Sequence, residues 1–346
     1  PPPSNSHPAA SPALEIAARD PSAKDPLDMV SLDERQIAAY AEHLKTSGTA
    51  KAFDFCAPSE GFLYPERHQP GVLETFFFSC SHQFGFWTLN SARWNKPMIA
   101  RLDGRDLKGS DFMFRACTRA WQRNPRVFFP DTLATMGNAQ LSDVFRDDDG
   151  ANPLPMWAEH LALIHGYAQW FVSRNLEPAD VLRRAAADSK PLYALLTVLA
   201  EVPGYAEDPL QKKAMLLAIV LENRPEHFLK VTDPESAVPI IDYHLQRSAL
   251  RAGLVRVVDP TLRAKLEARQ LLSAGEEFAI RSATYEAIAA IMAQAELSAA
   301  AVDWFFFQNR TRCPETSDPK CPECPVQAIC AKETRLFQPV FRTTAY

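Results

Sequence analysis

The sequence has little glycine, no long apolar run and no excess of positive charge. Only 12 of its 346 residues are glycine, which favours a mostly helical chain over one built from glycine-rich turns. No apolar run reaches the roughly 18 residues that a membrane-spanning helix requires, and no signal-peptide pattern is visible at the start. A net charge of -5 and a pI near 6.0 argue against a protein whose affinity depends on neutralising nucleic-acid phosphates.

Four cysteines near the end of the sequence form its most specific pattern. Spacers of seven, two and five residues separate Cys313, Cys321, Cys324 and Cys330. Prolines in these spacers force turns, so the four thiolates can converge on one centre at low entropic cost. Sulfur ligands bind either tetrahedral zinc or an iron–sulfur cluster. Zinc sites usually contain two C-x2-C units and this chain has one, so we expect a [4Fe–4S] cluster, with zinc as the alternative.

The other three cysteines bear on the redox compartment. Cys56, Cys80 and Cys117 lie in apolar segments, where we expect buried free thiols rather than disulfide partners. Free thiols are typical of proteins in reducing compartments, so we expect a cytoplasmic protein.

Apolar residues spaced three and four apart predict helices through most of the chain. The clearest helical segments are 192–199, 210–221, 285–295 and 302–307. Acidic residues followed by proline predict further helix starts. These pairs begin at Glu177, Asp208, Asp233 and Asp259.

An aromatic segment near residues 76–102 differs from the rest. Its aromatic residues between 76 and 87, followed by residues 96–102, favour a few short strands or a buried aromatic wall.

Composition divides the chain into four parts. Residues 1–30 are rich in proline, alanine and serine, which predicts disorder. The charged, turn-rich tract Arg146–Pro155 is the best linker candidate. We therefore expect an aromatic-rich half at 31–150 packed against a helical half at 151–312, followed by the cysteine loop and tail at 313–346.

Asp242 is the leading catalytic candidate. It follows the apolar run P-I-I and precedes a helix with apolar residues on one face, so the helix N-terminal amides can hold its charge. An ordinary N-cap aspartate gives the same pattern. Its combination with a later cysteine cluster is what favours a functional role.

These two patterns together resemble the helix-hairpin-helix DNA glycosylases of the endonuclease III type. In that family a catalytic aspartate opens a helix in V-D-T-H-V-x-R-V-x-N-R-L-G, and the stretch I-D-Y-H-L-Q-R through R-A-G-L is similar here. The stretch from Trp304 to Cys313 is similar to the family's helix that leads through G-R-x-x-C into the cluster loop. The resemblance implies a helical DNA-glycosylase-like bundle in two packed halves with a C-terminal iron–sulfur loop.

The chain departs from that family before Asp242. DNA glycosylases carry a glycine-rich hairpin there, L-P-G-V-G-x-x-T-A, whose amides hold a DNA phosphate. The corresponding stretch HFLKVTDPESAVPII contains no glycine, so its backbone cannot approach a phosphate in that way. Duplex DNA is therefore not the expected partner.

A second resemblance covers most of the chain. The aromatic segments FFF and FGFWTL, the helix LQKKAMLL and the stretch I-D-Y-H-L are similar to segments of the queuosine salvage proteins, which are queuosine 5′-phosphate N-glycosidases. Those segments read F-x-F-W, Y-x-G-Y-W-S-L, Y-K-R-A-Q-I-L and A-D-Y-R-L. The stretches EFAIR at 277–281 and DWF at 303–305 are similar to E-V-E-I-R and D-Y-Y. The resemblance implies a hydrolase acting on a free modified nucleotide. The chain differs from typical members by its cysteine loop.

Cleavage of an N-glycosidic bond develops positive charge on the sugar, so it needs a buried carboxylate that faces C1′. We assign that role to Asp242. Glu277 is the second catalytic candidate: with Arg281 it would protonate or hydrogen-bond the leaving base, although this i, i+4 pair is also typical of an ordinary ion pair. The expected substrate-binding residues are Phe78, His82, Phe86, Trp87, Lys213, His244, Arg281 and Asp303. For most of these a structural role is an equally good interpretation.

The expected function is therefore hydrolysis of a modified purine-like nucleoside or nucleotide of the 7-deazaguanine or queuosine type, with release of the free base. Two alternatives stay open. One is an iron–sulfur DNA glycosylase or lyase that removes a damaged base, and the other is a non-catalytic module that binds nucleobases or nucleic acid. The expected partner is a small nucleoside or nucleotide, and no membrane is expected.

Overall fold

A computed structural model describes residues 29–56, 58–90, 93–315, 317–337 and 342–346. The described chain is mostly helical, as predicted. Its α-helices are α1 Glu34–Ser47, α2 Val72–Ser81, α3 Ser110–Arg123, α4 Pro130–Thr135, α5 Asn138–Val144, α6 Trp157–Ser173, α7 Pro178–Ala186, α8 Pro191–Leu199, α9 Lys212–Asn223, α10 Tyr243–Ala252, α11 Pro260–Glu267, α12 Ala274–Ala295 and α13 Ala299–Gln308. Residues 1–28, most of the segment expected to be disordered, lie outside the described residues.

The strands of the described chain are short and pair in three antiparallel ribbons. They are β1 Val30–Leu32, β2 Trp87–Asn90, β3 Arg93–Pro97, β4 Ile99–Leu102, β5 Arg105–Lys108 and β6 Val255–Val257. Strand β1 pairs with β6, β2 with β3, and β4 with β5. The β1–β6 pair, with Val30 opposite Val257, joins the start of the described chain to the segment that follows α10.

Two hydrophobic cores hold the fold. The larger contains buried residues between Phe55 and Ile240, from both sides of the expected linker Arg146–Pro155, together with Ala299 and Ala300. The smaller packs residues 29–44 against residues 241–336. The start of the described chain thus packs with its last third. The expected linker is an irregular loop between α5 and α6, and the expected division into halves stays a prediction.

The prediction of strands was right for β2, β3 and β4, which lie between residues 87 and 102, and wrong for Phe76 to Phe78, which lie inside α2. Nine of the ten residues of this helix are buried. A helix that is buried on all sides has no polar face to mark a helical period, so the sequence alone does not separate it from a buried strand. The alternative of a buried aromatic wall is confirmed, because all three rings have at most 1% of their surface exposed.

The predicted helix starts have mixed outcomes. Glu177 and Asp259 precede α7 and α11 as expected. Asp233 precedes only a short 3-10 helix, but its carboxylate accepts the amides of Leu192 and Tyr193 at the start of α8. The helix predicted at Asp208 was placed too early. Helix α9 begins at Lys212 instead, because the carboxylate of Asp208 accepts the amide of Leu210 in an irregular turn and the amide of Lys212 at the start of the helix.

Within the described ranges, no single helix is both long and apolar enough to cross a membrane.

Candidate active site

A cavity of about 360 Å³ opens where the starts of three helices meet. The walls come from the junction of α2 and β2, the first turns of α3, α9 and α10, and one face of α13. Its lining includes Phe53, Phe86, Trp87, Lys108, Asp111, Lys212, Asp242, Tyr243, His244, Asp303, Trp304, Phe307 and Tyr346. This volume lies in the range of pockets that bind drug-sized ligands.

Asp242 lies at the N-cap of α10. Its Oδ1 accepts the amides of His244 at 2.8 Å and Leu245 at 3.2 Å, which fixes the carboxylate at the positive end of the helix dipole. The side chain is half-buried and lines the cavity. The N-cap interpretation and the functional one are thus compatible, because Asp242 caps the helix and still faces the cavity.

Asp303 on α13 is a second carboxyl group on the same cavity. Burial and the nearby charge of Asp242 raise its pKa to about 8, so Asp303 is protonated at neutral pH. Two carboxyl groups close together cannot both ionise cheaply, and this arrangement keeps one of them as an acid.

Lys212 completes the charged centre of the cavity. Its Nζ donates to the carbonyl of Gln83 at 3.3 Å. Burial lowers the pKa of Lys212, while the nearby charge of Asp242 acts in the opposite direction. The cavity therefore brings the amino group of Lys212 together with the carboxyl groups of Asp242 and Asp303.

Aromatic rings form the remaining walls. Trp304 packs on Phe53 with ring centroids 4.2 Å apart, and Trp87 meets Tyr243 edge to face at 5.7 Å. Nε1 of Trp87 is buried near the hydroxyl of Tyr243 and makes no well-directed hydrogen bond within the described residues. A buried donor without a partner is costly, so this group suits a ligand acceptor.

A buried ion pair behind the cavity holds its helices in register. Arg281 on α12 donates to both oxygens of Asp208, at 2.7 and 2.8 Å. It also donates to the carbonyl of Ile241, at 3.1 and 3.0 Å. Asp208 in turn accepts the amide of Lys212 at 2.7 Å. This network fixes the start of α9 relative to the start of α10, and so Lys212 relative to Asp242.

Several predicted site residues lie on the cavity. Phe86, Trp87, His244 and Asp303 line it together with Asp242.

Glu277 and Arg281 lie behind the cavity wall. Glu277 is buried and accepts hydrogen bonds from Gln246 at 3.0 Å and from the hydroxyl of Tyr346. Burial raises the pKa of Glu277. Arg281 was expected to pair with Glu277, but its guanidinium group pairs with Asp208 instead. The Arg281–Asp208 contact is bidentate, which makes it the stronger of the two possible pairs.

Three predicted binding residues are buried away from the cavity. Phe78 stacks on Phe128 with centroids 4.5 Å apart. Nδ1 of His82 lies 3.0 Å from Nδ1 of His160, and both rings are fully buried. Lys213 is fully buried, and its Nζ donates to the carbonyl of Thr344 at 2.7 Å. These contacts fit a structural role for Phe78, His82 and Lys213.

Sequence reasoning missed several cavity residues. Lys212 was overlooked because its neighbour Lys213 carries the same charge, and only the start of α9 decides which of the two faces the cavity. Asp111 and Tyr346 lie in segments with no motif. For Asp111 the sequence offers only an acidic residue in the first turn of a helix, and for Tyr346 it offers only a single tyrosine.

The structure places the four cysteines of the loop near one another, and their role as ligands stays a prediction. They line one small cavity of about 30 Å³ together with Arg251, and none is in a disulfide. Within the described residues no group of three or more ligand side chains has the arrangement of a site for a single metal ion. A tetrahedral zinc site would require sulfur atoms roughly 3.8 Å apart, given zinc–sulfur bonds of about 2.3 Å.

The donors around these sulfur atoms suit an anionic iron–sulfur group. Nη1 of Arg251 lies 3.3 Å from Sγ of Cys313, and the amide of Lys332 lies 3.4 Å from Sγ of Cys330. Nη2 of Arg251 is buried without a hydrogen-bond partner among the described residues. Hydrogen bonds to sulfur and a neighbouring cation stabilise clusters of this kind.

The cysteine loop also caps the helix that carries Asp242. The amides of Ala331 and Glu333 donate to the carbonyls of Ala252 and Arg251, at 3.2 and 3.0 Å. These carbonyls are the orphan acceptors at the end of α10. The loop therefore fixes one end of α10 while Asp242 occupies the other.

No known family model matches the chain, and no curated protein is significantly similar to it.

Proposed function

We propose that the protein is an N-glycosidase that hydrolyses the N-glycosidic bond of a modified purine-like nucleoside or nucleotide. The observation that carries the proposal is the cavity on which two carboxyl groups, those of Asp242 and Asp303, lie between aromatic walls. Burial and the charge of Asp242 raise the pKa of Asp303 to about 8. Glycosidic hydrolysis needs one group to stabilise positive charge and another to protonate the leaving group.

Asp242 is suited to stabilise the positive charge that develops on the sugar. As the bond between C1′ and the base nitrogen breaks, its electron pair leaves with the base and the sugar becomes an oxocarbenium ion. The carboxylate of Asp242 stabilises this cation, or adds to C1′ to give an ester that water then hydrolyses. The amides of His244 and Leu245 hold the carboxylate in place before the reaction starts.

Asp303 is suited to protonate the leaving base. A carboxyl group with a pKa of about 8 carries a proton at neutral pH and can transfer it to the departing base. This assigns to Asp303 the acid role first expected for Glu277, which lies behind the wall and is occupied by Gln246 and Tyr346. Water supplies the hydroxyl that ends on C1′, and its proton restores the acid.

The aromatic walls support a planar ligand. Trp87 and Trp304 line the cavity with Phe86 and Phe307. A base stacked on such a ring gains on the order of 1–3 kcal/mol. The choice of a 7-deazaguanine or queuosine-type base, and of a helical DNA-glycosylase-like bundle, comes from the sequence resemblances.

We propose that Cys313, Cys321, Cys324 and Cys330 hold a [4Fe–4S] cluster, with zinc as the alternative. When bound, the group would cross-link the loop that caps α10. Its role in this proposal is structural, and no step of the hydrolysis passes through it.

A panel of substrates tests the proposal. The protein is incubated with queuosine 5′-phosphate, queuosine, guanosine 5′-phosphate and duplex oligonucleotides that carry damaged bases, and free bases are separated by chromatography. We expect release from a queuosine-type compound and none from the duplexes. Release from the duplexes alone would support the DNA glycosylase alternative. Binding without release from any substrate would support a non-catalytic module.

A further inference from the structure

The cysteine loop approaches the cavity at one residue, Glu315. This glutamate lies two positions after Cys313, and only 7% of its surface is exposed. Its Oε1 lies 2.8 Å from Nδ1 of His244, 3.6 Å from Nζ of Lys108 and 4.0 Å from Nη1 of Arg247. His244 and Lys108 both line the cavity. A carboxylate from the loop therefore contacts two side chains that a ligand would meet.

Glu315 lies among basic side chains. His244 and Arg247 on α10 and Lys108 at the end of β5 face its carboxyl group. Its Oε1 is buried and makes no well-directed hydrogen bond within the described residues. The carboxyl group is thus held by its contacts with these three side chains.

This contact decides how the imidazole of His244 is protonated. Burial lowers the pKa of His244, so the ring is neutral and one nitrogen carries the proton. Nη2 of Arg247 lies 3.4 Å from Nδ1, but the carboxylate oxygen is closer. A lone pair on Nδ1 would be repelled by that oxygen, so the proton lies on Nδ1 and Nε2 carries the lone pair.

The ring of His244 is also held on both sides. Tyr243 lies 4.2 Å and Phe307 5.5 Å from it, centroid to centroid. No described residue makes a hydrogen bond to Nε2, while the side chain lines the cavity two residues from Asp242. Nε2 is therefore an acceptor placed to receive a hydroxyl or amino group of a ligand.

We infer that Glu315 is a positioning residue of the active site: it holds His244 so that Nε2 accepts a hydrogen bond from a hydroxyl group of the substrate sugar. The identity of that ligand group rests on the proposed function; the link between Glu315 and His244 does not. The cysteine loop would then have two effects on the site, capping α10 and orienting His244. Loss of the loop's structure would change the protonation of His244 as well as stability.

The link is tested without any substrate by nitrogen-15 NMR of the imidazole groups, with His244→Ala used to assign the signals. We expect the Nδ1–H form of His244 in the wild type and in Glu315→Asp. In Glu315→Ala the Nε2–H form should become populated, and Cys324→Ser should give the same change. Glu323→Ala removes an exposed carboxylate from the same loop and should leave the spectrum unchanged. An unchanged spectrum in Glu315→Ala would overturn the inference.

The kinetic arm uses queuosine 5′-phosphate. We expect Glu315→Ala to raise KM about tenfold with a smaller change in kcat, since the contact exists in both the ground state and the transition state. Glu315→Ala combined with His244→Ala should be no worse than His244→Ala alone, because the two residues act as one unit. Additive losses would contradict the positioning role. If no base is released by the wild type, the proposed function fails while the NMR result still decides the link.

Discussion

Replacing Asp303 by asparagine should stabilise the folded protein by an amount that grows with pH. In the folded state the pKa of Asp303 is about 8, against an ordinary value of 3.8. Between these two values the folded protein holds a proton that the unfolded chain releases. Folding stability of the wild type therefore falls as pH rises through this range, and the group contributes nothing to that slope below pH 3.8. Asparagine has a similar shape and does not titrate.

The size of the effect follows from linkage. For each pH unit between 3.8 and 7, the raised pKa of Asp303 lowers the unfolding free energy of the wild type by about 1.4 kcal/mol. Asp303→Asn can therefore raise the unfolding free energy at pH 7 by at most about 4 kcal/mol. The difference between variant and wild type should be close to zero at pH 4 and constant above pH 8. The same substitution should remove base release, as expected for a site that trades stability for activity.

Urea unfolding at a series of pH values measures this difference. Asp149→Asn is the matched control, because Asp149 is exposed in the loop before α6. A difference that does not depend on pH, or a variant less stable than the wild type throughout, would refute the assignment of Asp303 as a protonated acid.

Three further predictions concern the parts that support the site. Asp208→Asn should destabilise the protein by about 3–5 kcal/mol in thermal or urea unfolding, because it leaves Arg281 buried without its bidentate partner; a loss below 1 kcal/mol would contradict the role of this pair. Gly253→Ala should lower the free energy of unfolding more than Gly48→Ala does. Both glycines end helices at positive φ, but only at position 253 would a Cβ lie 2.6 Å from Ala331 of the cysteine loop. Equal losses of stability in urea unfolding would argue against tight packing at position 253. Cys324→Ser should abolish the visible absorbance and bound iron of anaerobically purified protein and lower its stability; stoichiometric zinc in a colourless wild type would reject the iron–sulfur assignment.

The helical character of the chain was predictable, because apolar periodicity and helix-start signals act locally. The start of α11 at Asp259 and the short strands at 87–102 follow from such signals. The helical state of Phe76 to Phe78 did not, because α2 is buried all round and lacks a period. Pairing of β1 with β6 was also beyond local reasoning, since it joins segments more than two hundred residues apart.

In the candidate site, too, some residues follow from local sequence patterns and others depend on the fold. Asp242 was identified from its position before a helix, and the cysteines from their spacing. The choice of Lys212 over Lys213 depends on where α9 begins, and the choice of Asp303 over Glu277 depends on which side of α12 and α13 faces the cavity. Glu315 was seen only as one acidic residue among others in the cysteine loop. Its contact with His244 requires the fold of that loop against α10.

The most direct test of the account is base release from queuosine 5′-phosphate by the wild type and by Asp242→Asn, measured at equal protein concentration. The account predicts free base and sugar phosphate from the wild type, no release above background from the variant, and the same cooperative unfolding for both. Release by Asp242→Asn at the wild-type rate would contradict it.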